Sequence, residues 1–166
     1  VANDSKNVAL RVAQYQKLCD PGLKLKLASG VVRSKLLNSR TLLRRNGEDV
    51  GVALQALKRL SRRAELAESI QSLLGVAGTG ARTYFEAFPK VLRPQQDQTV
   101  EFDWRGRNRR PPTDPVNAML SLCYSLLTKD MALAVTVAGL DPMFGFYHQP
   151  RHGKPALALD LMEEFR

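Results

Sequence analysis

The chain is poor in sulfur and in imidazole. Its two cysteines, Cys19 and Cys123, stand far from each other and from both histidines. That arrangement contains no zinc-binding spacing and no disulfide framework of the kind that staples small secreted domains. One tryptophan and two histidines confine indole and imidazole chemistry to Trp104, His148 and His152. The longest apolar run, residues 131–140, falls well short of the roughly 20 residues of a membrane span, and no secretory pattern opens the chain. A cytoplasmic protein with no membrane partner is expected. Acidic residues are also in the minority. Against 25 Lys and Arg stand 16 Asp and Glu, a net charge of +9, which points to a polyanionic partner without separating DNA from RNA or an acidic surface.

Period-two alternation is scarce too, and no repeat is present, so the expected fold class is all-α, with roughly seven helices. A 166-residue chain that is 44% hydrophobic can fill one core, and the expectation is a single helical domain over 1–166. A first helix is expected over about 7–18. In the next, over about 23–45, Leu25, Val32, Leu36 and Leu43 make one apolar stripe, with Arg33, Arg40 and Arg44 beside it and Asn46-Gly47 as its end. The arginine stripe is either a solvated outer face or a track for phosphates. From Asp49 onward Val50, Leu54, Leu57 and Ser61 form a further stripe, ending in a basic cluster of Lys58, Arg59, Arg62 and Arg63 that the helix dipole also favours.

Leu66, Ile70, Leu73, Ala77, Ala81, Tyr84 and Phe88 recur at steps of four and three, which predicts one unbroken inward face over about 64–88. Gly75, Gly78 and Gly80 cost helix propensity there and suggest close approach of a backbone or ligand, or tight helix packing. Residues 89–113 read as a long loop, in which Trp104 and the arginines 105, 107, 109 and 110 suit phosphate clamping and base stacking as well as plain solvation. Asp114 caps a helix with Pro115 at its first position, and Val116, Met119, Leu120, Cys123 and Leu127 are expected to face the core. Asn117, Ser121 and Tyr124 share another face, and a separate core helix is expected over about 131–139.

In the last quarter, Gly139, Asp141-Pro142 and Gly145 precede His148, and Gly153 and Pro155 follow it, so His148 belongs on a structured loop. Pro155 suits the first turn of a final helix, in which Asp160 and Glu163 lie one turn apart on one face. An imidazole with carboxylates suits Mg²⁺ or Mn²⁺ better than structural zinc, although an acid pair on a helix also arises as a solvated face.

The stretches Gly139-Leu140-Asp141-Pro142, Gly145-Phe146-Tyr147-His148, Gly153-Lys154-Pro155 and 159–166 resemble, in order and spacing, the C-terminal catalytic domain of the CRISPR-associated integrase family, the metal-dependent DNA endonucleases that insert spacers into a repeat array. The resemblance covers the whole chain but part of a typical member, which carries a small β-rich domain before this region. The chain is therefore expected to be a fragment of a longer protein. The resemblance implies that His148 and Asp160 are inner-shell ligands of Mg²⁺ or Mn²⁺, and that Glu163 binds directly or through water. His152 is the rival ligand if the loop register differs. The family's first ligand is the Glu of a Gly-x-Glu-Gly motif, where this chain has Gly75-Val76-Ala77-Gly78. An impaired site follows, and the survival of His148, Asp160 and Glu163 points to substitution at this one position rather than general decay. Further implications are DNA contacts by Arg82, Arg107, Arg109, Arg110, Asn117, Ser121, Tyr124 and Lys154, with spacer precursor and repeat DNA as substrates. A homodimer within a larger complex, bridged by a small ferredoxin-like CRISPR-associated partner dimer, is implied as well. Fusion to a reverse transcriptase is compatible with the family. The alternative is a non-catalytic DNA-binding subunit of such an assembly.

Overall fold

A computed structural model describes residues 7–92, 104–108 and 111–165. Among these, six α-helices follow in order: α1 (Val8–Leu18), α2 (Pro21–Asn46), α3 (Gly51–Glu65), α4 (Ile70–Ala87), α5 (Pro115–Val137) and α6 (Ala156–Met162). Short 3-10 turns at Phe88–Val91 and Glu163–Phe165 extend α4 and α6. The described residues contain no strand, as the all-α expectation required.

α2 is the spine. Asp20 caps it by accepting from the Gly22 amide, Pro21 occupies its first position, and Gly47 donates back to Leu43 at its end. Its buried stripe of Ala28, Val32, Leu36 and Leu43 packs on α3 and α4, where Leu57, Ala64 and Leu73 are equally enclosed. Each such leucine contributes roughly 1.5–3 kcal/mol by burial alone. α2 also receives the terminal 3-10 turn, which brings the last carboxylates of the chain against its middle. Of the arginine stripe, Arg33 pairs with Glu65 and Arg40 donates to the Leu54 carbonyl, so these two tie α2 to α3.

Three expectations need correction. The inward face over 64–88 is interrupted: α3 runs to Glu65, Leu66 is exposed, and Ser69 caps α4 by accepting from the Ser72 amide. A capping serine ends the competition for those amides locally, which the periodicity of Leu66 and Ile70 did not register. Of the three glycines only Gly80 is closely approached, by Leu36, while Gly75 and Gly78 face open space.

The segments expected as two helices after residue 114 are one, α5, on which Val116, Leu120 and Leu127 are half-buried, so the expected inward face holds only in part. Met119 and Cys123, expected in the core, are exposed, as are Leu122, Leu126, Leu133 and Val137. Asn117 is fully buried instead. By length and composition α5 would also suffice to cross a membrane, but here it packs along α6 with its polar face inward, as one wall of the cleft described next.

Candidate functional site

The loop between α5 and α6 is pinned at its start by α1. Buried Gln14 accepts from the Asp141 amide (2.8 Å) and donates to the carbonyls of Asp141 (2.9 Å) and Phe144 (3.0 Å). The Tyr15 hydroxyl donates to Asp141 Oδ2 at 2.7 Å, and this bond raises the phenol's pKa ahead of burial. The loop is pinned at its end by Asp160, which is wholly buried on α6. Asp160 Oδ2 accepts the amides of Phe146 (2.6 Å) and Tyr147 (2.9 Å), and Oδ1 accepts the amide of His148 (2.8 Å) and its ring Nδ1 (2.7 Å). A Cβ at residue 145 would run into the Asp160 carboxylate and the α6 backbone, which is why glycine stands there.

These four donors occupy the lone pairs of both Asp160 oxygens. Asp160, expected as an inner-shell ligand, is therefore placed as the anchor of His148 with no acceptor position left for an ion. It also orients the imidazole: with Nδ1 donating to Asp160, a neutral ring presents its Nε2 lone pair. That lone pair faces Glu163 Oε1 at 3.9 Å, and Glu163 is itself only 3% exposed. Two acceptors opposed across a short gap repel unless a cation or proton lies between them. The two groups are close enough that a small side-chain adjustment would let both reach one small divalent ion. The other Glu163 oxygen is held by Lys35 of α2, Nζ to Oε2 at 2.6 Å. Beside them the Tyr147 phenol is pushed well above its usual range, first by burial and then by the charges of Glu163 and Asp160.

Among the described residues no group of three or more His, Cys, Asp or Glu side chains is placed to hold one ion. Position 77, where the family resemblance implies an acid, lies on α4. Leu74 lines a cleft of about 530 Å³ with His148, Lys154 and Leu159, while Ala81 lines a small cavity with Lys35 and Tyr124. Buried Ala77 lies between Leu74 and Ala81 on the same helical face, at steps of three and four.

A second cleft, of about 470 Å³, meets His148 from the side of α5 and is lined by Arg107, Ser121, Tyr124, Thr128, Lys154 and Met162 among others. His148 and Lys154 thus stand where the two clefts adjoin. Arg107 donates to Asn117 Oδ1 (2.8 Å) and Ser121 Oγ (3.2 Å), and its guanidinium lies 5.5 Å from the centre of the Tyr124 ring. Asn117 additionally accepts the Asn108 amide and donates to the Gly106 carbonyl and to Asp114. Enclosed and saturated, it holds the arginine loop in place and is not itself a surface for DNA. Ser121 and Tyr124 do line the cleft. Trp104 packs against Phe85 and Phe88, and with Arg82, Arg105 and Arg107 it borders a further open cavity of about 850 Å³. Burial, ahead of the nearby Tyr124, raises the Tyr84 phenol in the same aromatic group to about 12. Arg109 and Arg110 lie outside the described residues. His152 is exposed in the turn closed by the Arg151–Lys154 bridge and lines neither cleft beside His148.

Comparison with known proteins places this arrangement. The model of the family described as CRISPR associated protein Cas1 matches residues 1–166. The chain belongs to the Cas1 family. It is 46% identical over 173 residues to a CRISPR-associated exonuclease Cas4/endonuclease Cas1 fusion of Geobacter sulfurreducens, covering 100% of this chain and 31% of that protein. Among solved structures, a partial Cas6-RT-Cas1--Cas2 complex matches with a TM-score of 0.83 at 30% identity, over 99% of this chain and 49% of that one. A casposase bound to integration product matches with a TM-score of 0.79 at 28% identity, over 97% and 45%. The chain therefore spans half or less of the length of these relatives.

Two residues of this Cas1-family site escaped the sequence reading. Lys35 interrupts the buried stripe Ala28, Val32 and Ser39 of α2, and Gln14 stands one turn before buried Leu18 on α1. Each was legible as a polar side chain at a core position of a helix, a placement that demands a buried partner.

Proposed function

We propose that the chain carries the strand-transfer site of a CRISPR-associated DNA integrase, built for one Mg²⁺ or Mn²⁺ ion, and that Ala77 leaves the site impaired. The single observation behind the metal is the opposition of His148 Nε2 and Glu163 Oε1 across 3.9 Å, each held in place from behind, by Asp160 and by Lys35. These two would hold the ion, and a carboxylate at position 77 would complete the set. When bound, the ion polarises a phosphodiester and stabilises the departing oxygen. The exchange is a transesterification in which a DNA 3′-hydroxyl forms one P–O bond as another breaks, the attacking hydroxyl giving its proton to solvent and the departing oxygen taking one up.

The remaining residues bind and orient. Asp160 keeps the imidazole in one tautomer and aims it. Lys154 stands between the two clefts, within reach of phosphates in either, and Arg107 with Ser121 and Tyr124 offers donors and a ring face along the second. Arg82 extends the basic lining past Trp104. Spacer precursor and repeat DNA are the proposed substrates. The Cas6-RT-Cas1--Cas2 and casposase relatives support work on DNA within a larger complex, with a reverse-transcriptase fusion in some proteins, and to that complex the proposal adds a second copy and a small ferredoxin-like partner dimer.

Ala77 also favours a second reading, a DNA-binding subunit without chemistry of its own. One experiment separates the two. Ala77→Glu is expected to gain Mn²⁺-dependent strand transfer of a 3′-hydroxyl DNA end into a repeat duplex. Unchanged DNA binding with no gain of strand transfer would favour the non-catalytic subunit.

A further inference from the structure

Lys35 lies in the middle of α2, on the other side of Glu163 from His148. Its side chain is 16% exposed and that of Glu163 4%, and Nζ lies 2.6 Å from Oε2. Glu163 is buried beside the equally buried Asp160, and the Lys35 ammonium offsets the charge of its carboxylate. A turn further along α2, Asn38 donates to the Glu164 carbonyl at 2.7 Å, so the helix grips the terminal 3-10 turn at two points. Lys35 also lines the small cavity that Ala81 shares, so the same ammonium borders the α4 face that carries position 77.

We infer that Lys35 is a positioning residue of the metal site: by holding Glu163 Oε2 it presents Oε1 to the gap in front of His148 Nε2. It does for Glu163 what Asp160 does for His148. Each of the two donors is thus fixed from behind by a buried partner of opposite character, one contributed by α6 and one by α2. Partners of this kind outside the ligand sphere commonly carry a tenfold to hundredfold effect on metal affinity. In the Ala77 chain the same ammonium keeps Glu163 compensated without any ion, so the site stays assembled despite the missing acid.

The inference rests on the reading that His148 and Glu163 share a cation, and the test separates the two. In protein carrying Ala77→Glu, Mn²⁺ affinity is measured by calorimetry well below the melting temperature for the parent, Lys35→Met, Lys35→Arg and His148→Ala. His148→Ala is expected to lose binding, Lys35→Met to weaken it roughly tenfold or more, and Lys35→Arg to recover most of it, because a guanidinium also grips a carboxylate. Should Lys35→Met not fold, Lys35→Gln replaces it with the same expectation. A lowered melting temperature with unchanged affinity would show a purely structural lysine and overturn the inference. So would tighter binding, which would mark the ammonium as a competitor of the ion. Parent-like affinity in His148→Ala would overturn the metal reading itself.

Discussion

Asp160 grips His148 twice with one oxygen, taking its backbone amide at 2.8 Å and its ring Nδ1 at 2.7 Å. The position of the loop and the orientation of the imidazole are therefore set by the same carboxylate, which is wholly buried and accepts two further amides. Loop and ring cannot be disturbed separately from α6.

Asp160→Asn tests that coupling. An amide of the same shape turns at least one former acceptor toward the donors of the loop. The variant is expected to lose about 2–4 kcal/mol of stability, as buried charged hydrogen bonds do when one partner is changed. Urea denaturation followed by circular dichroism measures it. A loss under 1 kcal/mol would mean the loop is held by Gln14 and packing alone.

Two glycine substitutions bracket the same point. Gly145→Ala drives a methyl group into the Asp160 carboxylate and the α6 backbone, with an expected cost of about 1–3 kcal/mol. Gly78→Ala, in an exposed helical position with nothing nearby, is expected to stabilise by about 0.5–1 kcal/mol. Melting temperatures moving in the same direction for both would contradict the packing described around residue 145.

The start of α5 should be acid-sensitive. Burial raises the Asp114 carboxyl, but hydrogen bonds from the Asn117 side chain and backbone, from Asn108 and from the Val116 amide outweigh it, and the net shift is downward from the ordinary 3.8. A depressed folded value adds stability that is present above the unfolded value and is lost as pH falls through the folded one. Amide exchange at Asn117 is expected to accelerate, relative to α2, only below about pH 4. In Asp114→Asn that acid step should vanish, and an unchanged step would assign the sensitivity to another carboxylate.

Much of the helical class was legible because the apolar stripes of α2 and α3 are regular and Asn46-Gly47 marks the end of α2. The outward turn of Met119 and Cys123 on α5 was not. Apolar residues outnumber polar ones on that helix, so periodicity alone turns Met119 and Cys123 inward, whereas the site claims the face carrying Asn117, Ser121, Tyr124 and Thr128. The spacing of Asp160 and Glu163 marked a shared face but not the division of labour on it. That division depends on which carboxylate meets the loop amides and which meets Lys35, a residue more than a hundred positions away in sequence.

The central claim is that His148 Nε2 and Glu163 Oε1 share one divalent ion. Electron spin-echo envelope modulation of Mn²⁺ bound to the Ala77→Glu protein measures directly whether an imidazole nitrogen coordinates the ion. The account predicts a single coordinated nitrogen, abolished by His148→Ala and retained in His152→Ala. Absence of any nitrogen coupling, or a coupling that survives His148→Ala, would contradict it.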